Sequence, residues 1–233
     1  MILAAKWARE KQVPFLGICL GFQIAAIEFA RNVLNWKDAN SSELDPNTEH
    51  DIVIFMPEIS KTHLGGTMRL GLRPTIFEEE SDRSSVMRKL YGDSKEIWER
   101  HRHRYEINPR LVKDLESTNE LKFVGKDETG ERMQVMELTN HPFFVGMQAH
   151  PEFCTRPLNP SPPFIGLIAA ASNQLDVQLA LQKDFKPPHP TSQMVLGDKI
   201  KSNNVIKSAV DDAEFNTPSQ SPKINTNKNL PSS

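Results

Sequence analysis

Residues 13–34 read VPFLGICLGFQIAAIEFARNVL, and this stretch decides the class of fold. It opens with a short apolar run that has a proline near its start, which is typical of a strand buried on both faces of a parallel sheet. From Phe22 to Leu34 the apolar positions follow a helical period with few polar interruptions, which predicts a largely buried helix. Because strands and helices are mixed along the rest of the chain as well, an α/β layer architecture is expected.

The junction of this strand and helix carries a Gly-x-Cys-x-Gly motif, with Cys19 between Gly17 and Gly21. A nucleophile elbow needs this arrangement, because glycines on both sides let neighbouring chain approach without a Cβ clash. The helix N-terminus is expected to lower the pKa of the Cys19 thiol, and the backbone N–H groups that follow can serve an oxyanion. An isolated cysteine is more often a buried structural residue. The two flanking glycines favour the functional interpretation.

A second motif, QAHPEF at residues 148–153, predicts a base for this nucleophile. Residues two apart in extended chain point the same way, and Pro151 holds His150 in the β region. The imidazole of His150 and the carboxylate of Glu152 are therefore expected to lie side by side at the end of an apolar strand. The carboxylate would hold one imidazole tautomer, which is the base and orienter half of a nucleophilic triad.

Weaker patterns outline the rest of the chain. From about residue 182 the composition turns to Pro, Ser, Asn, Thr and Lys, which bury too little apolar surface to offset the entropy of ordering. We predict one folded domain at 1–182 and a disordered tail at 183–233, with Thr217 and Ser221 as candidates for proline-directed phosphorylation. The predicted strands are 51–57, 67–72, 122–125, 132–138 and 143–150, and the predicted helices are 1–12, 85–100 and 164–181.

Charge and composition exclude several classes of function. The 28 Lys and Arg nearly balance the 30 Asp and Glu, which argues against a nucleic-acid-binding protein. No apolar run approaches the ~18 residues of a membrane span. Two cysteines, Cys19 and Cys154, are too few for a disulfide framework, so a reducing, cytoplasmic location is expected. A zinc site at His101 and His103 is the weaker alternative, because arginines interleave with this pair and repel a divalent cation.

These motifs resemble those of the class I (triad) glutamine amidotransferases, and more narrowly the carboxy-terminal glutaminase domain of the cytidine triphosphate (CTP) synthase family. That resemblance implies a flavodoxin-like, mostly parallel sheet flanked by helices, with its amino-terminal part missing from this chain. The narrower match rests on five blocks in the same order as in the family: GICLGFQ (17–23), DANSSE (38–43), LGGTMRLG (64–71), ERHRHRYEIN (99–108) and QAHPEF (148–153).

The resemblance also implies a role for each catalytic side chain. Cys19 would attack the side-chain amide of glutamine. His150 would protonate the leaving ammonia and then activate water against the glutamyl thioester, while Glu152 orients His150. No metal takes part in this chemistry.

The implied glutamine pocket combines backbone donors with a pair of opposite charges. Glu43 would receive the α-ammonium and Arg104 the α-carboxylate, because a zwitterionic amino acid needs an anion and a cation at fixed separation. Arg100 and Arg102 are interpreted as structural or interface residues. The stretch that would line the rest of the pocket is Leu20, Gly21, Phe22 and Gln23. Two positions depart from the family pattern: Ala149 stands where an aromatic residue is usual, and Phe22 where methionine is commoner.

The resemblance finally implies a pathway and partners. The ammonia would feed the ATP-dependent amination of UTP to CTP, in pyrimidine nucleotide biosynthesis. No cofactor is expected in this chain; ATP and Mg belong to a synthetase domain, which is missing here together with a glycine-rich oxyanion loop. The chain alone is therefore expected to be weakly active or inactive and to expose an apolar sheet edge. Expected partners are L-glutamine, the synthetase domain or full-length CTP synthase subunits, and further copies in tetramers and filaments, with no nucleic acid and no membrane.

Two alternatives remain open at this point. One is a truncated isoform without catalytic function that associates with full-length CTP synthase subunits. The other is a related hydrolase with the same elbow, such as a γ-glutamyl hydrolase or a cysteine esterase. The blocks LGGTMRLG and HRHRYE argue against this second alternative, because those hydrolases lack them.

Overall fold

The structure is a computed structural model that describes residues 1–56, 68–78 and 85–188. Its strands are β1 (Phe15–Ile18), β2 (Asn40–Ser41), β3 (Asp51–Phe55), β4 (Arg69–Phe77), β5 (Glu96–His103), β6 (Tyr105–Ile107), β7 (Leu121–Lys126), β8 (Met133–Leu138) and β9 (Phe144–Met147). Its helices are α1 (Ile2–Lys11), α2 (Leu20–Asn32), α3 (Val86–Leu90), α4 (Val112–Leu115), α5 (Pro162–Ala171) and α6 (Leu175–Leu181). Short 3₁₀ turns lie at Pro109–Leu111, Pro151–Phe153 and Gln182–Asp184.

The described strands form a mixed sheet, so the expectation of a mostly parallel sheet is wrong. Six strands follow the order β1-β9-β8-β7-β4-β5, and three more form the order β2-β3-β6. In the larger sheet β1 and β9 run parallel, while the pairings of β9 with β8, β8 with β7, β7 with β4 and β4 with β5 are antiparallel. The connections from β7 to β8 and from β8 to β9 are short, and a parallel crossover needs about a dozen residues or more. Short connections therefore enforce these two antiparallel pairings.

Helix α2 is the buried helix that the sequence predicts, and it begins directly after Cys19. Its residues from Gly21 to Ala30 are all buried, and this run includes one ionisable group, Glu28. Arg9 of α1 satisfies that carboxylate through two hydrogen bonds of 2.9 and 2.8 Å. Because a buried charge without a partner is strongly destabilising, this pair fixes α1 against α2.

The prediction of a helix over 85–100 is wrong beyond its first turn. Helix α3 ends at Leu90, and Gly92 and Asp93 follow with φ of 68° and 54°, outside the helical region. Strand β5 then begins at Glu96 with alternate residues buried. Two of those buried residues are histidines and one is glutamate, so the period of two does not show as an alternation of apolar and polar residues.

The predicted helix over 164–181 is two helices. Helix α5 ends at Ala171, and Asn173 takes a left-handed φ of 57° before α6 begins. Beyond α6, the ring of Phe185 contacts that of Tyr91 with centroids 6.4 Å apart. The packed chain therefore continues at least three residues past the predicted boundary at 182.

Several predicted features lie outside the described residues. They are residues 64–67 of the LGGTMRLG block, the tail from residue 189 onward, and the candidate phosphorylation sites Thr217 and Ser221. Strand β4 continues to Phe77, five residues past its predicted end, in register with β5 through Pro74 opposite Trp98. Within the part of the chain that is described, no helix has the length and apolar character needed to cross a membrane.

Candidate active site

Cys19 occupies a strained turn between β1 and α2. Its φ of 50° and ψ of −102° are rare for a residue with a side chain, and such strain is typical of a nucleophile elbow. The Cys19 N–H donates to the Met147 carbonyl at 2.8 Å, which extends the β1–β9 pairing to this residue. Gly17 makes the turn possible, since a Cβ there would lie 2.7 Å from the backbone of Gly21. The predicted elbow geometry is confirmed.

The electrostatic setting of the Cys19 thiol differs from the expectation. Burial is the main influence and raises the pKa of the thiol. Hydrogen bonds from the Leu20 N–H and from the Gln148 side chain lower that pKa, and the Glu152 carboxylate raises it. The helix N-terminus acts in the expected direction, but burial outweighs it, so the prediction of a lowered thiol pKa is wrong.

His150 and Glu152 lie side by side, as their spacing predicts. His150 Nδ1 is 2.6 Å from Glu152 Oε1, and the backbone N–H of His150 donates to the Arg100 carbonyl at 2.8 Å. A carboxylate only accepts, so Nδ1 carries the proton and Nε2 presents its lone pair in neutral imidazole. His150 Nε2 is buried and has no hydrogen-bond partner among the described residues. It is therefore available to exchange a proton.

The topology brings the two motifs to the same end of the sheet, beyond the carboxyl ends of β1 and β9. Strands β1 and β9 are parallel neighbours, with Ile18 opposite Met147. Cys19 follows the first strand directly, and His150 lies three residues beyond the end of the second. Gln148 links the two segments, because its Nε2 lies 3.5 Å from Cys19 Sγ.

A cavity of about 340 Å³ opens beside Cys19. It brings together five of the residues that the sequence predicts for catalysis or glutamine binding, namely Cys19, Leu20, Gln23, Glu43 and Arg104. Four further residues line it: Met68, Arg102, His103 and Tyr105.

Four of the predicted site residues are not among the lining residues of this cavity: Gly21, Phe22, His150 and Glu152. Phe22 is fully buried and packs edge-on against Phe123 in the hydrophobic core, so its side chain does not reach the cavity. Helical periodicity explains the difference, since Leu20 and Gln23 are three residues apart and share a face of α2. The departure from methionine at position 22 is accordingly a matter of core packing.

The sequence interpretation missed some of this lining. Arg102, interpreted as structural, lines the cavity together with His103 and Tyr105. All three belong to the ERHRHRYEIN block but lie beyond the predicted helix over 85–100, in a stretch where no strand was predicted. Gln148 was also missed as a contact of Cys19, although it lies two residues before His150.

His101 and His103 hydrogen-bond each other. His103 Nδ1 is 3.0 Å from the Tyr105 carbonyl, and His101 Nδ1 is 3.1 Å from His103 Nε2. Because the carbonyl only accepts, both rings carry their proton on Nδ1. Burial lowers the pKa of His103 to about 4 and that of His101 well below its ordinary value, so both rings are neutral at pH 7. Three of the four ring nitrogens take part in these hydrogen bonds, which disfavours the zinc alternative.

Comparisons with known proteins agree with this geometry. Residues 1–170 match the family model described as glutamine amidotransferase class-I. The chain belongs to this family. The class I glutamine amidotransferase fold expected from the resemblance is thereby confirmed, with a mixed sheet.

Among class-I relatives, CTP synthases are close in sequence. The chain is 57% identical over 185 residues to CTP synthase of Eremothecium gossypii, covering 78% of this chain and 32% of the relative. It is 60% identical over 179 residues to CTP synthase 2 of Saccharomyces cerevisiae, covering 75% of this chain and 31% of the relative. The chain thus spans about a third of the length of these curated relatives.

A solved structure supports the same relationship. The Trypanosoma brucei CTPS glutaminase domain with bound acivicin superposes with a TM-score of 0.68 at 34% identity, covering 83% of this chain and 69% of that one. The predicted relationship to the glutaminase domain of CTP synthase is therefore confirmed. Ala149 is buried directly before His150.

Proposed function

We propose that this chain is the glutaminase part of a CTP synthase and hydrolyses L-glutamine with Cys19, His150 and Glu152. One observation carries the proposal: the cavity beside Cys19 is also lined by a carboxylate, Glu43, and a guanidinium, Arg104. A cavity that combines a nucleophile with one anion and one cation suits a free amino acid. The match to the glutamine amidotransferase class-I family model supports the same substrate.

The proposed reaction has two halves that share one nucleophile. His150 Nε2 takes the proton of the Cys19 thiol as the sulfur attacks the side-chain amide carbon of glutamine, and backbone N–H groups at the start of α2 face the oxyanion. His150 gives a proton from Nε2 to the leaving ammonia, which leaves a glutamyl thioester on Cys19. His150 then takes a proton from water, whose oxygen attacks the thioester. Glutamate leaves, and the Cys19 thiol is regenerated.

Glu152 supports both halves through His150. Its carboxylate holds the Nδ1 proton, which aims Nε2 as the proton carrier and stabilises the imidazolium that forms. Glu43 and Arg104 bind the α-ammonium and the α-carboxylate of glutamine and thereby place the amide at the sulfur. Leu20 and Gln23 line the rest of the pocket, and Gly21 contributes through its backbone.

We further propose that the ammonia serves the amination of UTP to CTP, as the name of the sequence relatives indicates. The ATP-dependent step, with its ATP and magnesium, belongs to the synthetase part of such a protein, and no residue of this chain has a role in it. Because the matched stretch covers only about a third of these relatives, we propose a synthetase domain or a full-length subunit as the partner.

A second candidate function is association with full-length subunits without catalysis. The amino-terminal helix favours it, because Leu3 and Trp7 of α1 are 80% and 56% exposed. Exposed apolar side chains of this size are typical of an interface. Co-purification with full-length CTP synthase, without a glutamyl thioester at Cys19, would support this function over the first.

Labelling with a chloroketone analogue of glutamine tests the proposed nucleophile and pocket together. We expect the analogue to alkylate Cys19 and to leave Cys154 unmodified, as read by peptide mass spectrometry, with protection by L-glutamine. Glu43→Gln should slow the labelling at least about tenfold, because a charged hydrogen bond to the α-ammonium is lost.

The matched control is Glu49→Gln, an exposed carboxylate near Glu43 that is not among the residues lining the cavity. It should label like the wild type. Ammonia release from glutamine, compared with an upstream-extended form and with Cys19→Ala, then measures turnover. A labelling rate that changes neither with L-glutamine nor with Glu43→Gln would contradict the proposed pocket. Ammonia release by Cys19→Ala would contradict the proposed nucleophile.

A further inference from the structure

Three amide and carbonyl groups form a hydrogen-bonded chain that ends at the nucleophile. Gln23 Nε2 donates to the Tyr105 carbonyl at 2.8 Å and to Gln148 Oε1 at 3.1 Å. Gln148 Nε2 in turn lies 3.5 Å from Cys19 Sγ. Gln148 is 1% exposed, and its backbone N–H donates to the Gln134 carbonyl at 2.8 Å, so the residue is held at both its main chain and its side chain.

The direction of this chain follows from its first member. A backbone carbonyl only accepts, so the group of Gln23 that faces Tyr105 has to be the NH₂. The other hydrogen of that NH₂ has to meet an acceptor, which fixes the oxygen of the Gln148 amide towards Gln23. The NH₂ of Gln148 then has to face the sulfur of Cys19. A side-chain amide that could otherwise flip is thereby set in one orientation.

We propose that Gln148 is a positioning residue for the nucleophile, whose amide N–H, oriented from Tyr105 through Gln23, donates to the Cys19 sulfur and stabilises the thiolate. This inference rests on the proposed function of Cys19. An N–H donor favours the anion over the neutral thiol, since a hydrogen bond to a charged acceptor is the stronger one. The effect opposes the burial and the Glu152 charge that disfavour the thiolate, and the Leu20 N–H acts in the same direction as Gln148.

The test is the pH dependence of Cys19 alkylation by iodoacetamide in the full chain, followed by peptide mass spectrometry to separate Cys19 from Cys154. Gln148→Met keeps the volume but removes the donor. At a pH below the thiol pKa we expect alkylation about three- to tenfold slower than in the wild type, because the free energy of one net hydrogen bond corresponds to such a ratio. Gln148→Glu should shift the midpoint further upward, since it places a carboxylate oxygen where the N–H stood.

Gln134→Met is the matched control. It also removes a buried amide, 2% exposed, but that amide interacts with Thr75 and not with Cys19. Its alkylation midpoint should equal that of the wild type. If Gln148→Met has the wild-type midpoint, the proposal is overturned.

A measurement on the wild-type chain guards against variants that fail to fold. The side-chain ¹⁵N–¹H resonances of Gln148 should shift with pH at the same midpoint as Cys19 alkylation. The absence of a chemical-shift change at this midpoint would overturn the proposal. Neither measurement uses glutamine. A shifted midpoint in a chain that releases no ammonia would therefore retain the role of Gln148 and count against the proposed function alone.

Discussion

At Cys19, burial and hydrogen bonding act on the thiolate in opposite directions. Burial and the Glu152 carboxylate disfavour the anion, while N–H donors from Leu20 and Gln148 favour it. Free thiolate is therefore limited before substrate arrives. Under the proposed function, His150 is the base that takes the proton of the thiol as the attack begins.

A substitution at Glu152 separates the two effects of this carboxylate. Glu152→Gln removes a charge that raises the Cys19 pKa, so the midpoint of iodoacetamide alkylation should move to lower pH. The same substitution removes the negative charge that holds the His150 Nδ1 proton and stabilises the imidazolium, so glutamine turnover should fall by about 10²-fold or more.

Ammonia release by the upstream-extended form and alkylation of the same variant check this prediction together. General damage to the site would lower both rates. Faster alkylation together with slower turnover is the pattern that only the opposed roles of Glu152 produce. Unchanged turnover would contradict the proposed triad.

At the scale of elements, the β1–α2 junction depends on close backbone contact. A Cβ at Gly17 would lie 2.7 Å from both the carbonyl carbon and the oxygen of Gly21, and 2.9 Å from the Phe15 ring. Backbone atoms cannot move aside as a flexible side chain can. The strand and helix can therefore meet at this angle only with glycine at position 17.

We expect Gly17→Ala to lower the free energy of unfolding by about 1–3 kcal/mol, because the added methyl group forces the junction apart. Gly21→Ala is the control, since nothing lies within 4 Å of a Cβ there. That substitution should leave stability unchanged or raise it slightly, because alanine favours a helix over glycine. Urea denaturation of both variants measures the difference, and equal losses of stability would contradict the close-contact explanation.

At the scale of the molecule, buried charges join β6 to the turn between β7 and β8. Glu106 is 4% exposed, and its Oε2 lies 3.2 Å from Arg132 Nε. Arg132 also contacts the buried Asp127 at 3.0 Å. The pKa of Glu106 is raised to about 7, mainly by burial, while Arg69 lowers it and Asp127 raises it. Next to Glu106, Tyr105 lines the cavity, so this cluster holds one wall of the site in place.

The raised pKa of Glu106 predicts how stability changes with pH. Between an ordinary value of 4.5 and about 7, the folded chain keeps a proton that the unfolded chain has lost, so the free energy of unfolding falls as pH rises. Glu106→Gln has no ionisable group at this position, so it lacks this pH-dependent loss of stability. Relative to the wild type, the variant should therefore become more stable between pH 5 and pH 8, by roughly 3 kcal/mol at most.

Denaturation of both proteins across this pH range measures the difference and cancels the contributions of other titrating groups. Glu128→Gln, at a half-exposed carboxylate on the neighbouring turn, is the control and should show no such trend. If the difference in free energy of unfolding between Glu106→Gln and the wild type stays constant with pH, the raised pKa of Glu106 is contradicted.

Local signals explain why so much of the site is readable from the sequence. The elbow needs only an apolar strand, two glycines and a helix in succession, and the placement of His150 beside Glu152 needs only extended chain and one proline. In β5 the buried face carries polar residues, among them Glu99 and His101, so the period of two was hidden and the first five residues of the strand were predicted as helix. The direction of most strand pairings also depends on connections whose ends the sequence pattern did not locate.

The sequence by itself determined the nucleophile turn, the histidine–carboxylate pair and the membership of a glutamine amidotransferase family, because each is written in residues close together along the chain. Only the tertiary structure decided that Gln148 reaches Cys19 across 129 residues, that Arg102 and His103 line the cavity while Phe22 does not, and that burial raises the thiol pKa. Those outcomes depend on which distant elements meet and on how far water is excluded between them. Desolvation and long-range contact arise only when the whole chain has packed.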